Sequence, residues 1–268
     1  MSDVVTFITV SDRSSTESAL HALSVQIQDL NGAEIIRAGF DEGLVWKGTR
    51  LDAYIVSSFR NQKDSAAFAQ KLASIDELSH VCCFSSKQGY RFTGYVLGLL
   101  GRLLYRPKPS VLIDEQLIAG HLREDQDVWF TPDDLGRALR VDLEQPMHIV
   151  TLNEYREYAY YKSGNHKKVT GEYAYNKSYG NSAIIPALRH GAHPVYLSTE
   201  LAPLYASEGH PLNQKWNDVQ VNAYVTRGGF FRLIQDDSYA KASEHRSAAL
   251  KSSFIQCSTA YGMESADI

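Results

Sequence analysis

The predicted strand Trp216–Val225 carries the side chains best suited to chemistry. Its sequence, WNDVQVNAYV, alternates between an apolar face and a polar, aromatic face formed by Trp216, Asp218, Gln220, Asn222 and Tyr224. Successive side chains of a strand point to opposite faces, so these five share one side of the sheet. We expect the apolar face to pack under helices and the polar face to line a cavity beneath a second sheet. An open sheet with its polar face in water gives the same pattern.

Two further predicted strands show the same division. Met147–Tyr155 places Asn153 and Tyr155 on one face, and Pro194–Leu201 groups Tyr196 with Glu200. Large aromatic side chains are costly to leave in water, which favours an enclosed cavity over an open sheet. The predicted substrate contacts are Asn222, Trp216, Asp218, Tyr155, Tyr196 and Glu200.

His245 is the side chain predicted to move a proton. An imidazole titrates near neutral pH, so it can accept a proton from carbon or oxygen and return it. His245 lies on a helical pattern, one turn from Ala242 and Ala249. The alternative is a buried structural histidine that a backbone carbonyl, Asp236 or Asp237 holds in place.

Asn153, Tyr224 and Arg227 complete the predicted catalytic set. The amide of Asn153 and the phenol of Tyr224, helped by Asn222, could hydrogen-bond a developing oxyanion. Arg227 directly follows the strand and could clamp an acidic substrate group through its guanidinium fork. A charge placed at a helix start for solvation is the alternative for Arg227.

No metal site is predicted. His190 and His193 are three residues apart around a Gly-Ala turn, but no third ligand stands at a recognisable spacing. The sequence also lacks a P-loop, a GxGxxG turn, a GxSxG elbow and an HExxH pair. These absences disfavour nucleotide hydrolysis, dinucleotide-dependent redox chemistry and serine hydrolysis.

The elements that would position these side chains occur twice. Residues 1–86 predict the order β-α-β-β-α-β, and residues 147–268 repeat it with longer connections. In the second copy Pro186 should kink or split the helix Glu172–His190, and the helical region Arg227–Lys251 should break near Asp236. The sequence therefore predicts an α+β fold of two tandem ferredoxin-like units.

Residues 87–146 fit neither copy and are predicted to be a linker or insert. They contain an apolar helix at Gly94–Leu104, an extended spacer at Arg106–Pro109 and a short helix that Thr131 caps. The predicted domains are thus 1–86, 87–146 and 147–268, with the site in the last. The apolar helix is expected to pack on a domain rather than lie on a membrane surface.

The C-terminal half resembles the dimeric α/β-barrel superfamily, and within it a bacterial domain family of unknown function related to the EthD and antibiotic-monooxygenase groups. The resemblance is carried by HIVTLNEYR, TGEYAYNKSYG and the segment Trp216–Ser253, where a D-x-x-Y…HR-x-A-L helix places Asp236, Tyr239, His245 and Arg246. It implies two sheets paired face to face in a barrel, formed within this chain or across a homodimer. It leaves function open, because cofactor-free oxygenases, isomerases, cyclases and heme enzymes share the fold.

The composition of the chain disfavours nucleic-acid binding, disulfide bonding and membrane spanning. With 27 Lys and Arg against 31 Asp and Glu, the net charge of −4 gives no field that attracts nucleic acid. Three cysteines form no disulfide framework, which favours a reducing, cytoplasmic location. The longest apolar stretch is too short to span a bilayer.

The predicted function is a cofactor-independent enzyme that moves a proton on a carbonyl or phenolic small molecule. Isomerisation, cyclisation, lyase and oxygenase steps all fit this chemistry. The alternatives are a heme-dependent enzyme on the same barrel and a non-catalytic ligand-binding or assembly protein.

Overall fold

The computed structural model describes residues 2–40, 45–46, 49–89, 91–105, 113–114, 116, 118, 136–162, 164 and 168–260. The spacer predicted at Arg106–Pro109 and the helix predicted after Thr131 lie outside the described residues. Within the part described, no helix is both long enough and apolar enough to cross a bilayer.

The first half contains the predicted βαββαβ order with one added hairpin. Its elements are β1 (Ser2–Val10), α1 (Thr16–Asp29), β2 (Ala33–Phe40), β3 (Val45–Trp46), β4 (Thr49–Arg50), β5 (Ala53–Phe59), α2 (Gln62–Lys71) and β6 (Leu78–Gln88). Local signals fix the helix ends: the side chain of Asn61 accepts from the Asp64 N–H at 3.0 Å and caps α2. Asn31, at φ 53°, ends α1 in the left-handed region.

The second half repeats the order after helix α3 (Arg91–Leu104). Its elements are β7 (Met147–Tyr155), α4 (Gly171–Tyr173), a π-helical turn (Ala174–Tyr179), α5 (Gly180–Arg189), β8 (Ala192–Ala206), β9 (Asp218–Tyr224), α6 (Arg227–Ile234), α7 (Asp237–Ala249) and β10 (Leu250–Ala260). The predicted fold class, α+β with tandem ferredoxin-like units in an α/β-barrel-type architecture, is confirmed.

The chain divides into two compact units. Unit 1 comprises Met1–Gly89, Ser198–Asp218 and Gln256–Asp267, and unit 2 contains Tyr90–Leu197 and Val219–Ile255. The long strands β8 and β10 contribute residues to both units. The predicted boundaries at residues 86 and 146 stay a prediction.

Unit 1 is a sheet in the order β8-β6-β1-β5-β2-β10 with antiparallel pairing throughout its described registers. One face packs on α1 and α2 through a core that includes Leu23, Ile27, Phe59 and Phe68. The opposite face is apolar as well, since the Phe7 ring contacts those of Phe40, Tyr54 and Phe84. Both faces of this sheet are therefore buried.

Unit 2 has the strand order β10-β7-β9-β8. The break predicted near Asp236 is present, because Asp236 caps α7 directly after α6 ends. Pro186 does not split its helix, since α5 runs through it with the proline buried. A proline removes a single N–H donor, and this helix tolerates that loss. The irregularity lies instead in the π-helical turn before α5.

The apolar helix predicted at Gly94–Leu104 is α3, which packs against α5 in unit 2. Gly101 lies so close to Leu188 that an added Cβ would meet its side chain at 3.3 Å. On the other side of α3, Leu99, Leu100, Leu103 and Leu104 are exposed. The helix therefore packs on a unit, as expected, but through its glycine side.

Candidate functional site

Helices of unit 2 cover the polar face of its sheet. The Asn153 side chain on β7 donates a hydrogen bond to the Tyr175 hydroxyl at 3.1 Å, and that hydroxyl donates to Gln220 on β9 at 3.4 Å. Tyr175 belongs to the π-helical turn, so this face points at helices and not at a second sheet. The prediction that the apolar face would lie under the helices is therefore wrong. The alternation of polar and apolar residues could not show which face of β9 lies under the helices. Val219, Val221 and Ala223 on the opposite face are buried as well.

A buried hydrogen-bonded chain runs from this face to helix α7. The Ser253 hydroxyl on β10 donates to Asn153 Oδ1 at 2.8 Å, and Arg246 on α7 donates to the same hydroxyl at 3.0 Å. All three side chains are buried. A buried guanidinium is tolerated only where polar partners surround it. This chain therefore both fixes α7 on the sheet and keeps a positive charge inside unit 2.

Two tyrosines lie beside that charge. The hydroxyl oxygens of Tyr179 and Tyr239 are 2.9 Å apart. Burial raises the pKa of Tyr179 and raises that of Tyr239 well above its ordinary value, although the positive charge of Arg246 acts in the opposite direction on both. Both phenols are therefore neutral at physiological pH, and one of their two O–H groups donates to the other hydroxyl.

His245 is half-buried on α7 and does not contact Asp236 through a described hydrogen bond. Its Nδ1 lies 2.8 Å from the Tyr161 hydroxyl, and the two rings meet edge to face with centroids 5.5 Å apart. Arg227 is fully buried at the start of α6, which excludes the reading of a solvated charge. The role of His245 as a proton carrier stays a prediction.

Asp236 pairs with a different histidine. Its Oδ2 lies 3.2 Å from Nε2 of His190, while its Oδ1 accepts hydrogen bonds from the backbone N–H groups of Ser238 and Tyr239 at the start of α7. Burial alone would raise the pKa of Asp236, but the hydrogen bonds from Ser238, His190 and Tyr239 hold it below its ordinary value. An anionic carboxylate thus caps a helix and orients an imidazole.

The predicted site residues divide between the two units. Unit 2 holds Asn153, Tyr155, Tyr196, Asn222, Tyr224, Arg227 and His245, whereas unit 1 holds Glu200, Trp216 and Asp218. In unit 2 the rings of Tyr155 and Tyr175 lie 5.5 Å apart, and Tyr224 packs on Phe230. Trp216 is buried in unit 1, where its indole N–H donates to the Leu212 carbonyl at 2.9 Å, and Glu200 is exposed.

Sequence reasoning missed the roles of several residues of this cluster, namely Tyr175, Tyr179, His190, Tyr239, Arg246 and Ser253. Tyr239 and Arg246 stood in the D-x-x-Y…HR pattern, which was the available signal for them. The pairing of His190 with Asp236 spans 46 residues, and no periodicity indicates such a contact.

The other described histidines of unit 2 do not form a metal centre. Burial lowers the pKa of His148 to about 4, with a smaller contribution from the nearby His193. Across the described ranges, no three His, Cys, Asp or Glu side chains converge as metal ligands.

No family model and no curated protein sequence matches the chain. Among solved structures it is similar to RPA0582, a protein of unknown function from Rhodopseudomonas palustris, at 26% identity and a TM-score of 0.41 over 48% of this chain and 93% of that one. It is also similar to chlorite dismutase from Candidatus Nitrospira defluvii in complex with imidazole, at 10% identity and a TM-score of 0.49 over 99% and 92% of the two chains. Likenesses at this level do not carry a function to this chain.

One expectation is corrected by this comparison. The chain was predicted to need no cofactor, but the chlorite dismutases among its structural neighbours bind heme. The prediction that the chain needs no cofactor is therefore wrong.

Among the described residues of unit 2, His190 has donor chemistry that fits a heme ligand. An axial imidazole binds iron through one ring nitrogen, and a carboxylate or carbonyl oxygen typically orients its other nitrogen. His190 has such a carboxylate partner in Asp236. The partner of His245 is a phenol, and His148 lies on the face of β7 opposite Asn153.

The narrower resemblance to the EthD and antibiotic-monooxygenase groups stays a prediction. The βαββαβ order, which occurs twice, and the antiparallel strand order agree with the ferredoxin-like superfamily as a whole. The chain is thus an α+β protein with the ferredoxin-like, dimeric α/β-barrel type of fold.

Proposed function

We propose that unit 2 binds heme, whose iron His190 would hold, and that the chain is a heme-dependent enzyme acting on a small molecule. The observation that carries this proposal is the His190–Asp236 contact of 3.2 Å. When bound, heme supplies redox chemistry that amino-acid side chains lack.

Asp236 acts on His190 in this proposal. A carboxylate that accepts the ring N–H fixes the orientation of the imidazole and raises its basicity as a ligand. Because hydrogen bonds lower the pKa of Asp236, the carboxylate keeps its negative charge throughout the physiological range. Asp236 is a positioning residue, since it acts through His190.

The cluster of Tyr179, Tyr239 and Arg246 binds the substrate in this proposal. One neutral phenol donates to the other, and the remaining O–H donates a hydrogen bond to a substrate oxygen atom, while the guanidinium favours negative charge close to the pair. Tyr239 follows the capping residue Asp236 by one helical turn, so α7 carries the imidazole partner and the phenol together.

The first prediction concerns the ligand. Titration of the purified full-length chain with hemin should give a saturable Soret band. His190→Ala should lower the affinity for hemin by about tenfold or more, because the coordinating nitrogen is lost. His245→Ala is the matched control and should retain wild-type affinity. Absence of a Soret band in the wild type, or loss in His245→Ala alone, would refute the assignment.

The second prediction concerns the variant Asp236→Asn, which removes the carboxylate charge beside His190 but keeps a side chain that can cap α7. Asparagine caps helices about as well as aspartate, so this variant should fold like the wild type. It should still bind hemin, but with a changed iron reduction potential, because a neutral amide polarises the imidazole less than a carboxylate does. An unchanged potential would mean that Asp236 is only a cap.

A further inference from the structure

An open groove lies on unit 1, and the proposed heme site uses none of its lining residues. Its volume is about 620 Å³, and its walls come from the ends of β1 and β6, the start of α2, the middle of β8 and the segment before β9. Glu200 and Trp216, both predicted from the sequence as substrate contacts, line it. The groove is large enough for a small metabolite.

The paired strands β6 and β8 form the floor of the groove. Ser85 pairs with Ala202 and Ser86 with Leu201 in the antiparallel register. The Ser85 hydroxyl also donates to the Ala202 carbonyl at 3.3 Å. A floor that the sheet holds in place offers a preformed surface, so little conformational entropy is lost on binding.

Trp216 forms a fixed wall. It is only 3% exposed, and its indole N–H donates to the Leu212 carbonyl at 2.9 Å. The backbone N–H of Lys87, on another wall, donates to the Ser198 hydroxyl at 3.1 Å. Both walls are therefore anchored within unit 1, and the Lys87 side chain extends from an ordered backbone.

The charge of the groove is positive. Lys87 and Lys215 line it and are exposed, and among the described lining residues Glu200 alone is acidic. The remaining polar lining consists of hydroxyl and amide side chains such as Ser86 and Asn217. Ammonium groups bind oxyanions, while hydroxyl and amide groups hydrogen-bond a polar body.

We propose that this groove binds a small organic oxyanion, a molecule with a carboxylate or phosphate group on a polar body. Lys87 and Lys215 bind the oxyanion, and the amide and hydroxyl side chains bind the rest. All of its residues belong to unit 1, whereas the residues assigned to heme belong to unit 2.

Calorimetric titration of the full-length chain tests this proposal with two probes, inorganic phosphate and citrate. At least one probe should bind saturably, and the tighter one identifies the preferred oxyanion. Lys87→Gln and Lys215→Gln should each weaken binding by about five- to tenfold, as expected for the loss of one charged hydrogen bond. Lys71→Gln, an exposed lysine at the end of α2, is the matched control and should bind like the wild type.

A second variant tests the groove without changing charge. Ala202 is exposed and lines the groove, so Ala202→Leu should fill part of it and weaken binding while folding normally. Saturable binding that both lysine variants and Ala202→Leu weaken supports the proposal. Absence of binding to either probe at millimolar concentration overturns it, as does equal weakening by Lys71→Gln, which would indicate a general charge effect.

Discussion

At the residue scale, the chemistry of unit 2 depends on contacts that join distant parts of the sequence. Asn153, Ser253 and Arg246 come from two strands and a helix, yet they form one hydrogen-bonded chain. The sequence predicted Asn153 as a site residue from alternation alone. It could not predict the partners, because alternation reports a face and not the group that covers it.

Ser253 is the centre of this chain, and its loss should destabilise the protein. Ser253→Ala removes the hydroxyl that both Asn153 and Arg246 contact, at a cost of about 1–3 kcal/mol for buried polar groups. Urea unfolding measures the change. Ser182→Ala, which removes an exposed hydroxyl bonded to the Ser178 carbonyl, should change stability by less than about 0.5 kcal/mol. Equal effects of the two variants would contradict the structure.

At the element scale, helices and strands were predicted most accurately where the hydrophobic pattern agrees with the residues that begin or end an element. The predicted strand Met147–Tyr155 matches β7 residue for residue, and the break at Asp236 lies where an acidic residue caps a helix. It failed where the pattern was ambiguous. Pro186 suggested a break, but α5 continues through it, and packing of the helix offsets the lost hydrogen bond and the ring clash.

The cap of α7 gives a prediction at this scale. Asp236→Ala removes the acceptor of the Ser238 and Tyr239 backbone N–H groups and should destabilise the heme-free chain by about 1 kcal/mol. Asp236→Asn should cost less, because asparagine retains the acceptor. Thermal unfolding without hemin gives both values. If the two variants are equally stable, the carboxylate does not act as a cap.

At the scale of the whole molecule, each unit contains a histidine that folding keeps neutral. Burial lowers the pKa of His148 in unit 2 and of His210 in unit 1 to about 4, from an ordinary 6.5. The unfolded chain therefore binds more protons than the folded chain between these values. The contribution of each neutral histidine to the free energy of unfolding is fully present above pH 6.5 and is lost as the pH falls towards 4.

Urea unfolding between pH 7 and pH 4.5 measures this loss, which is of the order of a few kcal/mol. His148→Gln and His210→Gln should each reduce the pH dependence of the unfolding free energy. Replacing the exposed His21 by Gln should leave the slope as it is. If neither His148→Gln nor His210→Gln changes the slope of the unfolding free energy against pH, the loss of stability in acid comes from carboxylates instead.

The π-helical turn at Ala174–Tyr179 has a consequence for how this chain tolerates insertions and deletions. A π turn contains one residue more than the α turn it replaces, so the segments on its two sides are offset in phase. Shortening it by one residue would restore regular spacing but rotate the helix start away from Asn153, so Tyr175 would lose its strand contacts. Homologues that retain the tyrosine contacts should therefore retain the length of this turn, even where its residues differ.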